Sequence, residues 1–110
     1  MIEREINNRS REGLAIMRYD WDGGNIGKNL KHNVHDWEIE EAIEDQNAKV
    51  IGSVFINGEE RFELLGRVKT NGRFLRIIFT YRAYTAGNLL IRPISAKDMT
   101  ERQKRRYLRR

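Results

Sequence analysis

The chain contains no cysteine, a single proline and only two histidines among its 110 residues. Without cysteine there are no thiol nucleophiles, disulfides or thiolate metal ligands. With His32 and His35 as the only imidazoles, a closed zinc site is not expected, and neither a metal nor a cofactor is anticipated. No apolar run is long enough to cross a bilayer and no signal-peptide core is present. The expectation is a cytoplasmic protein without a membrane partner. A length of 110 residues suits one domain with one modest core. Because 34% of the residues are charged, that core must come from a few strands and helix faces.

What the chain has in excess is positive charge, +5 overall, and it is unevenly spread. Residues 97–110 hold seven Lys or Arg against Asp98 and Glu101, which equals the whole excess. Residues 36–45 hold six acids and no base. Such asymmetry suits a protein that meets a polyanion on one side.

Residues 59–82, EERFELLGRVKTNGRFLRIIFTYR, carry the strongest pattern. They read as one long β-hairpin turning at Asn71-Gly72, because Asn-Gly between alternating apolar runs favours a type I′ turn with φ > 0 at both residues. That turn pairs Phe62 with Tyr81, Leu64 with Phe79, Gly66 with Ile77 and Val68 with Leu75, giving one apolar face. The other face then sets Arg61 opposite Arg82 and Arg67 opposite Arg76. Like charges directly opposed destabilise a ladder. Two such pairs on one face point to a phosphate-binding surface.

Around this hairpin, residues 1–13 are polar, lack a period and read as a poorly ordered or variable extension to a single domain at 14–110, with Met17 an alternative start. Residues 14–21 form a first strand, broken by Asp22-Gly23-Gly24. Residues 25–32 read as a short helix capped by Asp22 or Asn25 and stopped at Asn33. A second helix covers 36–45, with Trp37, Ile39 or Glu40, and Ile43 as its inner stripe. Residues 49–56 form a strand turning at Asn57-Gly58, and 89–95 form another, edge-placed or irregular because of Pro93. A last helix spans 100–109, with Thr100 and Gln103 as a capping box. The expected fold is α+β: an antiparallel sheet of four to five strands, two N-terminal helices and one C-terminal helix.

Taken in order, YDWD at 19–22, Asn29, KHNV at 31–34, EIEEAIED at 38–45, EERFELLGRV at 59–68, GRFLRIIFTYR at 72–82 and IRPISAKDMTERQKRRY at 91–107 resemble the BrnT-family toxins. These are similar in fold to RelE-type small endoribonucleases. Two positions depart from the family pattern. Asn33 replaces a glycine after the Lys-His pair, and Lys97 replaces an Arg, keeping charge but losing the bidentate fork. The resemblance implies an endoribonuclease toxin of a bacterial type II toxin–antitoxin pair. It further implies a BrnA-like, ribbon-helix-helix antitoxin through which alone the complex meets operator DNA.

A metal-independent ribonuclease uses the substrate's 2′-OH as nucleophile. It needs a base, an acid for the leaving 5′-oxygen, and cations around the phosphorane oxygens. Histidine is suited to general acid or base work, so His32 could be either; a helix-end histidine capping a carbonyl is the plainer reading, which the resemblance outweighs. Glu59 and Glu60 open the hairpin, and either could be the base, an orienter of His32, or merely edge solubility. Arg82 and Arg92 occupy strand positions where an uncharged β-branched residue would serve structure better, and complete the catalytic candidates. Lys31, Arg61, Arg67, Arg73, Arg76 and Lys97 are the expected RNA-positioning cations. Trp21 and Trp37 are expected to pack rather than stack on bases. The basic C-terminal helix suits a solvated face, a single-stranded RNA track or an antitoxin footprint alike. The alternative function is a non-catalytic nucleic-acid- or protein-binding module of the same fold.

Overall fold

The computed structural model describes residues 18–85 and 87–109. The expected extension at 1–13, Met17 and the first half of the expected first strand lie outside them. A 3-10 helix, Lys28–His32, precedes helix α1, Asp36–Ile43. Four strands follow, β1 at Lys49–Ile56, β2 at Glu59–Arg67, β3 at Phe74–Thr85 and β4 at Asn88–Asp98, and helix α2 closes the chain at Glu101–Leu108. The strands form one antiparallel meander in sequence order. The fold is α+β, as expected, but with one N-terminal α-helix instead of two.

The expected helix at 25–32 fails for a local reason. Gly27 adopts a left-handed φ of 66°, so helical geometry starts only at Lys28. The asparagines meant to cap or build that helix are used elsewhere. Asn25 donates to the carbonyls of Asp20 and Pro93, and Asn29 accepts from the Ala96 N–H. Asn33 does stop the segment in the left-handed region, at φ 61°. Helix α1 also ends earlier than expected, at Ile43, with Asp45 turned back to accept the Arg67 N–H at 2.9 Å. Its inner stripe is Glu38, Ile39, Ala42 and Ile43. Trp37, expected inside, is 46% exposed.

The two Asn-Gly pairs behave differently. Asn57 and Gly58 take φ of 52° and 79°, the type I′ signature, and set Ile56 opposite Glu59. At Asn71-Gly72 only the glycine has positive φ. The chain there forms a wider loop, closed by the Val68 N–H donating to the Arg73 carbonyl at 2.8 Å. The loop is wide because α1 holds it: Glu41 accepts from the Thr70 N–H and hydroxyl, both at 2.8 Å, and Glu38 accepts from the Asn71 amide at 2.9 Å. The register is therefore offset by two residues from the expected one, with Phe62 opposite Phe79, Leu64 opposite Ile77 and Gly66 opposite Leu75. An even offset keeps every side chain on its expected face.

One face of the sheet packs on α1. Ile39, Ala42 and Ile43 meet Leu64, Val68, Leu75, Ile77, Phe79, Ile91 and Ala96 in the main core. On the other face, α2 covers one end, where Tyr107 packs with Leu65, Met99, Ile51 and Phe74. The expected capping box starts α2, with the Gln103 N–H donating to the Thr100 hydroxyl at 3.1 Å and the Thr100 N–H to Gln103 Oε1 at 2.9 Å. Among the described residues no other helix packs on that face.

The β4 edge is covered by the segment before the 3-10 helix. The Ile91 N–H donates to the Arg18 carbonyl and its carbonyl accepts from Asp20, a single parallel bridge at Tyr19 where a fifth strand was expected. Pro93 falls at a position whose carbonyl points outward, to Asn25, so its missing N–H costs the ladder nothing. A bulge follows directly after it.

Gly66 lies under α1, where an added Cβ would run into the carbonyl of Ala42. Since the obstacle is backbone, Gly66→Ala should destabilise the fold by roughly 1–3 kcal/mol or more. Urea denaturation measures it, and an unchanged midpoint would contradict this packing.

Candidate active site

Pairing between β2 and β3 stops at Phe62 and Phe79. Beyond that point the strands part, and the Thr80 hydroxyl donates to the Glu60 carbonyl at 2.7 Å. The opening is a notch of about 490 Å³ lined by Gly58, Glu59, Glu60, Phe62, Thr80, Tyr81 and Arg82. Alternation along β2 sends Glu59 and Arg61 to the open face and Glu60 to the other. Glu59 bridges two arginines, with Arg61 Nε at 3.0 Å and Arg82 Nη2 at 3.5 Å. Glu60 accepts from the Ser53 hydroxyl at 2.9 Å. Three of the five sequence-derived catalytic candidates thus share one notch.

The other two do not line it, although Arg92 is its neighbour. Arg92 is directly opposite Thr80, but its guanidinium is held by Asp22 at 3.0 Å and Asp20 at 3.1 Å. That charge-assisted contact, together with the Gly24 N–H, holds the Asp22 carboxyl below its ordinary value. Arg92 therefore pins the Asp20–Gly24 stretch to the β4 edge. His32 ends the 3-10 helix, exposed and without a hydrogen-bond partner among the described residues. That helix is anchored on Ala96, opposite Ile77, and Ile77 precedes Arg82 by five positions, about 16 Å along the strand. His32 and the two glutamates do not form one constellation.

The expected RNA-positioning cations divide in the same way. Arg61 does not line the notch but pairs with Glu59, which does, at 3.0 Å, and Arg76 pairs with Glu63 at 2.9 Å. Arg67 lies over the Phe74 ring at 4.6 Å and donates to the Gly72 carbonyl. Arg73 is structural: it reaches Glu38 at 3.1 Å, Asp98 at 2.8 Å and the Asn33 carbonyl at 2.6 Å. Lys31 and Lys97 are exposed at the His32 end. The two expected Arg–Arg pairs do not exist, because the register offset separates them and glutamates interleave. One like-charged pair does occur, Arg76 opposite Lys97. Asp20, Asp22 and Arg92 all fall in family-like motifs, but their pairing was not legible in the sequence, since about seventy positions separate the partners. Trp21 packs against the main core and donates to Glu40 at 2.7 Å, as expected of a packing residue.

Fold and notch together define a small basic α+β domain that gathers two glutamates and one arginine in a surface cleft, with Arg61 bonded to one of those glutamates, a set of groups suited to phosphodiester chemistry. Residues 21–103 match the family model described as ribonuclease toxin, BrnT, of type II toxin-antitoxin system. The chain belongs to the BrnT family, whose type II systems pair each toxin with an antitoxin. No individually curated protein matches it significantly. No helix among the described residues is long and apolar enough to cross a membrane.

Glu38 is the most deeply placed acid of the region, 2% exposed. Burial raises its carboxyl, but the His35 N–H, the Asn71 amide and Arg73 outweigh that and hold it below its ordinary value of 4.5. A depressed carboxylate contributes stability that is fully present above the unfolded value and lost as pH falls through the folded one. Glu38→Gln should therefore make the acid limb of stability below about pH 4.5 shallower, though not flat, because Asp22 and Glu41 are depressed too. At neutral pH the variant should lose roughly 1–3 kcal/mol, because Arg73 loses one of its two carboxylates and keeps Asp98. Denaturant melts across the acid range check both effects.

Proposed function

We propose that this chain is an endoribonuclease toxin that cleaves RNA at the notch, through the substrate's 2′-OH and without a metal ion. The observation that carries this reading is the placement of Glu59 between Arg61 and Arg82 at the mouth of the parted strands. Glu59 takes the 2′-OH proton as the 2′-oxygen bonds to phosphorus and the bond to the 5′-oxygen breaks, the leaving oxygen taking a proton from water at the exposed mouth. Glu60, which lines the notch from the other face, is the second candidate for the base. Arg82 is nearly half exposed, with 47% of its side chain in solvent, so an entering phosphate can replace Glu59 as its partner. As negative charge grows on the phosphorane oxygens, Arg82 and Arg61 stabilise it. Displacing Glu59 from Arg82 also frees its carboxylate to accept a proton, so substrate entry and base activation are one event.

Arg76 and Lys97 extend the cationic path along the open face, with RNA as the substrate that follows it. Arg92 supports the reaction indirectly, by fixing the β4 edge behind Thr80. The partner of this toxin is a BrnA-like ribbon-helix-helix antitoxin, and the pair meets operator DNA through it.

In this reading cleavage survives EDTA and leaves 2′,3′-cyclic phosphate or 3′-phosphate ends, and a 2′-deoxy residue at the cut blocks it. Arg82→Ala should cost about 10²–10³ in rate and Glu59→Gln about 10²–10⁴, both with folding intact. His32→Ala should change the rate less than about tenfold, because the histidine stands too far from the notch for proton transfer. Single-turnover cleavage of a labelled RNA measures all three. A severe His32 effect with a mild Arg82 effect would move the site to the Lys31–Lys97 end. RNA binding without any cleavage would favour the non-catalytic module.

A further inference from the structure

The two edges of the sheet are treated in opposite ways. The β4 edge is covered, whereas among the described residues nothing pairs with the outer side of β1. Ile56 and Glu59 flank a two-residue turn and so exchange both backbone hydrogen bonds. Alternation then directs the backbone groups of Gly52 and Val54 toward β2, and those of Ser53 and Phe55 outward.

This edge lacks the usual protection. Edge strands discourage further pairing with lysine, proline or strong bulges. From position 50 to 56 there is no charged residue, in a chain of which 34% is charged. Phe55 is 68% exposed, and Val50 and Val54 are more than half exposed. The one protective device is a bulge between Val50 and Gly52, and the pairs from Gly52 to Ile56 beyond it are regular.

The start of β1 adjoins a second feature. Lys49 Nζ donates to the carbonyls of Arg106 and Arg109, tying the strand to α2. There Ile51 shares a cleft of about 490 Å³ with Arg102, Arg106 and Arg109. None of these three guanidiniums has a carboxylate partner among the described residues, and the one acid in the cleft, Glu63, is held by Arg76.

We propose that the β1 edge is where the antitoxin docks. An extended segment of the antitoxin adds as a further strand along residues 52–56 and places acidic side chains in the Arg102–Arg106–Arg109 cleft. This rests on the reading of the chain as a toxin with a protein antitoxin. RNA fits the edge poorly, because its phosphates find no cation between Val50 and Ile56 and bury none of the apolar side chains. A second copy of the chain also fits poorly: its own β1 brings no carboxylate to the three arginines, and each copy carries +5. Docking here would also neutralise the toxin. Ile56 lies opposite Glu59, so the added strand ends about 10 Å from the notch.

The test uses the complex with the protein of the same operon whose co-expression suppresses the toxicity of this chain. Amide hydrogen exchange is read residue by residue in free toxin and complex. The Ser53 and Phe55 amides should slow by at least about 100-fold on complex formation, while Gly52 and Val54, already bonded to β2, change little. Phe55→Lys and Arg106→Glu should each weaken the complex at least about tenfold by calorimetry. Phe55→Lys should leave RNA cleavage by the free toxin unchanged. Unchanged exchange at Ser53 and Phe55 in a complex that still neutralises the toxin overturns the docking site and leaves the toxin reading standing. The same protection produced by RNA, or by concentrating the free protein into a dimer, also overturns it. If no protein of the operon suppresses toxicity and the free chain cleaves no RNA, the toxin reading itself fails.

Discussion

The arrangement of this molecule depends on one guanidinium. Arg73 sits in the loop between β2 and β3 and bonds Glu38 of α1, Asp98 at the end of β4 and the carbonyl of Asn33 after the 3-10 helix. Four separate pieces of chain meet at one side chain. The Glu38 side chain is only 3% exposed and that of Arg73 20%, so the pair carries a desolvation cost that its attraction must offset. Its return is specificity, since only one loop geometry lets Glu38 reach Arg73 and Asn71 together. That geometry sets the width of the loop, and the width sets the register of the central hairpin.

The register in turn decides what the open face offers a ligand. In the observed pairing the arginines of β2 and β3 do not confront each other, and most have a glutamate within reach. The face is therefore a set of ion pairs in which an incoming anion must compete with a resident carboxylate. Where pairing ends at Phe62 and Phe79, that competition takes place between Glu59 and a half-exposed arginine. An exposed ion pair of this kind is worth roughly 0–1 kcal/mol, so a phosphate making several contacts can displace it. If two aspartates held Arg82 the way they hold Arg92, an anion would find no exposed guanidinium in the notch.

The two sheet edges complete the division of labour. On β4, a covering segment satisfies outward backbone groups and uses Pro93 where no N–H is needed. On β1, no described residue pairs with the outward groups, and apolar side chains are exposed next to the α2 arginines. The open face suits a polyanion and the open edge suits a polypeptide strand. A toxin held in check by a protein must present both surfaces.

The sequence by itself determined most of the elements and the faces of the central strands, but not the segment before α1. Strand β1 spans 49–56 as expected, and the Thr100–Gln103 capping box is formed. The parity of every hairpin residue is as expected, because alternation with period two depends only on neighbours along one strand. The family was legible as well, through an ordered series of short motifs matched over residues 21–103. Tertiary structure alone decided the loop at Asn71-Gly72, where acids of α1 overrode a local turn preference that prevails at Asn57-Gly58. It also decided which cations are free. Arg73, Arg92 and Arg82 look alike as letters in a strand or turn, yet the first two bond acids at least twenty-five positions away and only the third faces an open notch. Whether a charge serves structure or substrate depends on what the folded chain brings within about 3 Å of it, and no spacing along one segment encodes that.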